Sequence, residues 1–179
     1  MIAPCKSAEF PIFVSRIAAS LGAAYASLGR ANEALVLLEE AIRQAAASNL
    51  MFGQSLVLSN FGRVCHLAGR EDAALTHAHD AIDIARASGE RGNEAWAWHL
   101  LGDLVLGGST TAATLEEAYS HYRAALMIAD ELGMRPLRAQ CLNGLSRLQK
   151  MIGNEALAEQ NATEATSLCR EMGMKTLLG

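Results

Sequence analysis

His99 and Asp103 stand four residues apart, which on a helix puts an imidazole and a carboxylate on one face. With His66 as a third donor, these groups could converge on a metal ion. Such a site also needs matched geometry and supporting partners that spacing alone does not supply, so a His99–Asp103 hydrogen bond is the expected use and no metal is expected. His77 and His79 are two apart and diverge around a helix, which makes them surface or interface residues. Trp96 and Trp98 diverge in the same way, so one, Trp98, is expected inside the helix pair and the other facing the groove. Cys65 and His66 are adjacent and point apart, and no Ser-His-Asp arrangement can be assembled. Cys5, Cys65, Cys141 and Cys169 are scattered without C-x-x-C spacing, so reduced, buried thiols are expected rather than a zinc knuckle or redox pair. Met134, Met172 and Met174 are expected to fill irregular gaps between helices. Neither G-x-x-x-x-G-K-[ST] nor G-x-G-x-x-G occurs, because Lys175 follows Gly173-Met174 without the preceding glycine spacing. No catalysis and no cofactor are therefore expected.

The composition points to helices. Of 179 residues, 51% are hydrophobic but only 5% aromatic, and there are 15 Gly and 3 Pro. That is neither a disordered nor a collagenous chain. A net charge of −4 argues against a nucleic-acid-binding surface, whose footprint is a basic patch. No run of about 18 apolar residues and no signal-peptide pattern is present, so a cytoplasmic protein without membrane contact is expected. The triplet Asn161-Ala162-Thr163 matches a glycosylation acceptor by letters only.

The elements that must position these residues are set by internal repetition. Leu21-Gly22, Gly29, Ala34 and Ala41 return as Phe61-Gly62, Gly69, Ala74 and Ala81, every position moved by 40. A third copy has Leu101-Gly102, Ala118 and Ala125, and a fourth has Leu145-Ser146, Gly153, Ala158 and Ala165. The alanines step by 40, 44 and 40, which places a four-residue insertion in the third copy, at Gly107 to Thr111. Asn49, Gly89, Gly133 and Gly173 close the units with the same steps.

Each unit reads as two helices and a short turn. The first helix carries Ile17, Leu21, Ala24 and Leu28 at helical spacing and stops near Gly29, a residue suited to a left-handed cap. The second presents Ala34, Leu35, Leu38, Ala41 and Ile42 on one face. Thr114-Leu115-Glu116-Glu117 is expected to restart the helix after the insertion as a capping box. Alanine at 34, 74, 118 and 158 lets two helix axes approach. Stacked pairs share one core, so the fold class expected is all-α: an α-α superhelix of four helix-turn-helix repeats and eight main helices, its concave face lined by the first helix of each pair. The repeats run about 12–51, 52–91, 92–135 and 136–175, within one domain over 12–179. Residues 1–11 are expected as a lead-in broken by Pro4 and Pro11, and Pro136 opens the fourth unit.

This pattern resembles the tetratricopeptide repeat. Trp98, Leu101-Gly102, Ala118, Tyr122 and Ala125 match its order of apolar or Trp, Leu-Gly, aromatic, Gly, Ala, aromatic and Ala positions, as do Leu21-Gly22, Tyr25, Gly29, Ala34 and Ala41. The departures are Cys65, Val105 and Gln149 at the first aromatic, Leu38, Ala78 and Ala162 at the second, Ser146 for Gly, and a period longer than the usual roughly 34 residues. More narrowly, Glu131-Leu132-Gly133-Met134-Arg135-Pro136-Leu137 and Arg170-Glu171-Met172-Gly173-Met174 are similar to the C-terminal repeat region of bacterial signalling ATPases linked to adenylate or guanylate cyclases. The resemblance implies a groove lined by fixed positions of each first helix. By register these are Arg16 and Ser20; Ser59, Asn60, Arg63 and His66; Trp96, His99 and Asp103; and Gln140, Asn143, Arg147 and Lys150. Amide, guanidinium and indole groups suit an extended peptide, and the arginines suit an acidic one.

The expected function is a non-catalytic protein-interaction module, a regulatory or scaffolding part of a bacterial signalling system, with a protein or peptide partner. One alternative is homo-oligomerisation through uncapped repeat ends, since Phe10, Ile12 and Phe13 make one end apolar and only Gly173 to Gly179 follow the last helix. Another is small-molecule sensing as an arm of a signalling enzyme. An Arg63→Glu/Arg147→Glu pair should weaken a peptide interaction, whereas polar changes near Leu168 or Phe13 should weaken self-association.

Overall fold

The computed structural model describes residues 11–47 and 53–174, and it is all-helical, with no strand among the described residues. Among the described residues eight helices follow in order: α1 (Pro11–Ser27), α2 (Ala31–Ala47), α3 (Gln54–Leu67), α4 (Glu71–Ala87), α5 (Arg91–Gly107), α6 (Ala112–Glu131), α7 (Arg135–Met151) and α8 (Glu155–Glu171). Helix–turn–helix pairing follows the repeat marks of the sequence. Gly29, Gly69 and Gly153 close α1, α3 and α7, and Gly89, Gly133 and Gly173 close α4, α6 and α8, all at positive φ. At Gly133 (φ 65°) an added Cβ would meet no atom within 4 Å, so the backbone conformation alone demands glycine. Beside it the Met134 amide donates to the Ala129 carbonyl at 2.8 Å, the bond that ties off a helix end, and Arg30 to Tyr25 (2.9 Å) and Asn154 to Gln149 (2.9 Å) repeat it. Asn49, Phe10 and the segment 175–179 lie outside the described residues, as do the side chains of Ile12, Phe13 and Ala41.

Three local expectations are corrected. Pro11 is the first residue of α1 rather than a break before it, where its missing N–H costs no helical bond. Pro136 sits in the first turn of α7, as expected. The capping box forms three residues earlier than Thr114–Glu117. Thr111 Oγ1 accepts from the Thr114 amide at 3.1 Å, and Thr114 Oγ1 accepts from the Thr111 amide at 2.8 Å. Thr114 is thus the partner and not the cap, because a hydroxyl at Thr111 reaches the orphan donors first. In α1 the buried stripe is Ala18, Ala19, Gly22 and Ala26, while Ile17 is 39% and Leu28 72% exposed. The small residues win that face because Leu35 and Leu38 of α2 occupy the space: a Cβ on Gly22 would lie 2.9 Å from Leu38.

The chain forms two compact units, Met1–Asn93 and Glu94–Gly179. In the first, α1 packs on α2, α3 on α4, and α3 touches both α1 and α2. Its core holds Ala34, Leu35 and Leu38 of α2, Val57, Phe61, Val64 and Cys65 of α3, and Ala74, Ala78, Ala81 and Ile82 of α4. His77, expected as a surface or interface residue, is half-buried and stacks on Phe61 of α3 with ring centroids 4.4 Å apart. Its Nδ1 is buried without a partner, and burial pushes the imidazole below its ordinary pKa, so it packs as a neutral ring.

In the second unit α7 packs on both α6 and α8. Two clusters form the core: Ala95, Ala125, Ile128, Ala129, Leu137 and Cys141, and then Leu106, Ala118, Tyr122, Leu145 and Leu148. The phased alanines 34, 74, 118 and 158 are all fully buried. Ser146, which breaks the glycine pattern, donates its hydroxyl to the Ala158 carbonyl at 2.8 Å. Arg138 pairs with Asp130 of α6 and Glu164 of α8, and Arg135 with Glu171, so basic groups of α7 lace its neighbours together.

Candidate binding face

Tyr122 organises the second unit. Its ring is fully buried, pressed between helices α5 and α7 at points where a side chain is missing: a Cβ on Gly102 would stand 2.7 Å from Cε1, and one on Gly144 2.5 Å. The phenol emerges at Asp103, whose Oδ1 accepts from the hydroxyl at 2.8 Å. Burial first, and the Asp103 carboxylate next, hold the phenol proton far above its ordinary pKa, so it stays a donor.

Three of the residues placed on the face by register meet at that carboxylate. His99 Nδ1 lies 3.4 Å from Asp103 Oδ2, and Arg147 Nη1 lies 3.6 Å from Oδ1. The His99–Asp103 contact is the pairing expected from their spacing. His99 is almost buried, its ring edge-on to Tyr122 at 5.7 Å and to Trp96 at 6.2 Å, whereas the Arg147 side chain is 54% exposed. Gln140 and Asn143 are half-buried along α7, and Lys150 is exposed one turn beyond Arg147. Trp96, His99 and Asp103 fall at i, i+3 and i+7 of α5, and Gln140, Asn143, Arg147 and Lys150 continue that spacing on α7.

Both tryptophans are half-buried, which corrects the expectation of one inside and one outside. Trp98 stacks on His121 at 5.2 Å, donates its indole N–H to Glu94 at 3.3 Å and shares a core cluster with Trp96. The buried aromatic of this repeat is Tyr122. Burial pushes the Cys141 thiol up to about 12, and Cys65 is raised by burial too, so both are protonated apolar fillers.

In the first unit the register residues do different work. His66 is held by Glu71 across the α3–α4 turn, with Nδ1 3.0 Å from Oε2. Asn60 is half-buried and Arg63 exposed on α3. Arg16 lays its aliphatic stem over Gly53, where a Cβ would sit 3.2 Å from Cδ. Among the described residues no group of three or more His, Cys, Asp or Glu is arranged to hold a metal ion.

A polar node at Glu90 leaves no repeat mark in the sequence, since it ties the turn after α4 to the starts of α3 and α5. The carboxylate accepts from the Gly53 amide at 3.2 Å, from the Asn93 amide group at 3.0 Å and from the Ser55 hydroxyl. Burial works against the ionised form, but the bonds from Ser55, Asn93 and Gly53, with Arg16 nearby, outweigh it and hold the carboxyl below its ordinary pKa. Because the folded value is the lower one, this stabilisation is present above pH about 4.5 and is lost as pH falls through the folded value. Thermal melts from pH 7 to pH 3 should therefore show a shallower acid loss for Glu90→Gln than for wild type. Parallel acid limbs would mean that the node contributes nothing.

Paired helices, phased alanines and glycine-closed turns define the class of this chain: an all-helical repeat protein. Its structure is similar to the crystal structure of BtubC (BKLC) from P. vanneervenii, with a TM-score of 0.71 and 18% sequence identity over 91% of this chain and 66% of that one. The likeness is one of fold, and the chain spans 66% of the BtubC chain's length. No protein-family model matches the sequence, and no curated protein does. Among the described residues no helix is long and apolar enough to cross a membrane.

Proposed function

We propose that the chain is a non-catalytic protein-interaction module of the tetratricopeptide kind, which takes an extended acidic segment of a partner protein against the α5 and α7 face. The observation that carries this reading is the half-exposed Arg147 guanidinium held beside Asp103, with Lys150 exposed on the same side of α7. A guanidinium oriented from below and open above can fork a carboxylate. Trp96, half-buried at the same face, offers an aromatic surface, and Asn143 an amide that can bond a peptide backbone. The two signalling-ATPase-like motifs favour a regulatory or scaffolding role in a cytoplasmic bacterial signalling system.

The test is an array of extended 12-residue peptides of graded acidity, probed with the full chain and with Arg147→Glu/Lys150→Glu. Retention of acidic peptides by wild type and a loss of about tenfold or more in the variant is the expected result. Equal binding by both, or no preference of wild type for acidic peptides, would overturn this reading.

A further inference from the structure

Helix α1 carries two apolar stripes, and only one of them is inside. Ala18, Ala19, Gly22 and Ala26 are buried, whereas on the second stripe Ile17 and Ala24 are exposed and Leu21 is half-buried. The repeat register shows what the second stripe is suited to. Its equivalents in α3, Val57, Phe61 and Val64, are buried, and α3 packs on both α1 and α2. Its equivalents in α7, Cys141, Leu145 and Leu148, are buried in clusters with residues of α6. In those helices the three positions form a seat for neighbouring helices, and in α1 the same seat meets solvent.

Helix α8 is built for water instead. One register holds Leu35, Leu75 and Tyr119 in α2, α4 and α6, and another holds Ile42, Ile82 and Leu126, all of them buried or half-buried. At these two registers α8 has Glu159 and Thr166, both exposed. Head-to-tail stacking, with α1 of one molecule on α8 of the next, would therefore set an apolar seat against a charged and a hydroxyl side chain. The α1 stripe of a second copy is a better match. Arg16 is the single charged residue of α1, and its stem lies over Gly53, so two such stripes meet without opposed like charges. Ala24 is small enough to let the two axes approach.

We propose that α1 is the interface of a closed, two-fold dimer in which Ile17, Leu21 and Ala24 of one molecule pack on the same stripe of a second copy. One helix from each molecule makes a small interface, so the association is weak and concentration-dependent.

Sedimentation velocity of the full chain over about 1–200 µM should show a reversible monomer–dimer equilibrium and nothing larger. Ile17→Glu and Ala24→Glu each put a carboxylate into the seam and should weaken the dimer about tenfold or more. Both change exposed positions, so the far-UV circular dichroism and melting of the dilute monomer should stay as in wild type. Leu157→Glu, at an exposed apolar residue of α8, should leave the equilibrium unchanged. A nitroxide on Cys5→Ser/Ser20→Cys, beside the stripe, should report one spin–spin distance within about 30 Å, as contacting helix axes require. A monomer at every concentration, a dimer indifferent to both α1 variants, no such spin–spin distance, or open-ended assembly abolished by Leu157→Glu would overturn the proposal.

Discussion

Tyr122→Ala is expected to lower stability by about 3–5 kcal/mol, the range for emptying a buried aromatic site. The ring is fully buried among Leu106, Ala118, Leu145 and Leu148, and its loss leaves a space bordered by two glycines with no side chain to move into it. Asp103 also loses its shortest hydrogen bond. Tyr122→Phe separates these contributions, since it keeps the packing and removes only the hydroxyl, at a cost of about 0.5–1.5 kcal/mol. Urea unfolding of the three chains with unchanged m-values would read both differences. If Tyr122→Ala cost no more than Tyr122→Phe, the ring would not be the keystone of the second unit.

Gly144→Ala is expected to change sign with its background. In wild type the new methyl would stand 2.5 Å from Cε1 and Cζ of Tyr122, a distance that forces the ring or α7 to shift. Overpacking of this kind costs about 1–3 kcal/mol, against roughly 1 kcal/mol gained when alanine replaces glycine inside a helix. The net result is destabilisation. In the Tyr122→Ala background the clash is gone and the helix-propensity gain remains, so the same substitution should stabilise by about 1 kcal/mol. The double-mutant cycle measures the coupling directly, and additivity of the two changes would show that Gly144 and Tyr122 do not share this space.

That pair also shows how far the sequence could be read. The step of 40, 44 and 40 placed the turns, and the glycines that close α1, α3, α4, α6, α7 and α8 are legible because only glycine takes positive φ without strain. The phased alanines are legible because a helix crossing tolerates no larger side chain. Misread were the positions where size was taken for burial. Leu28 and Ile17 are apolar at helical spacing yet exposed, while Ala18, Ala19 and Gly22 are inside. A period identifies a stripe, but which of two overlapping stripes faces the neighbour depends on what that neighbour brings, here Leu38.

The candidate face divides in the same way. His99 with Asp103 was readable, because i,i+4 spacing on one helix is a local relation. Arg147 on the same carboxylate and Tyr122 beneath it come from two other helices, and no spacing announces them. The Glu90 node joins residues more than 30 positions apart and leaves no periodic trace. The class of fold, the order of the described helices and the small-residue crossings were thus legible in the residues alone, since all follow from local geometry repeated along the chain. Which stripe is buried and which carboxylate holds which cation came from the folded arrangement, because those outcomes depend on complementary shapes and charges that meet across helices.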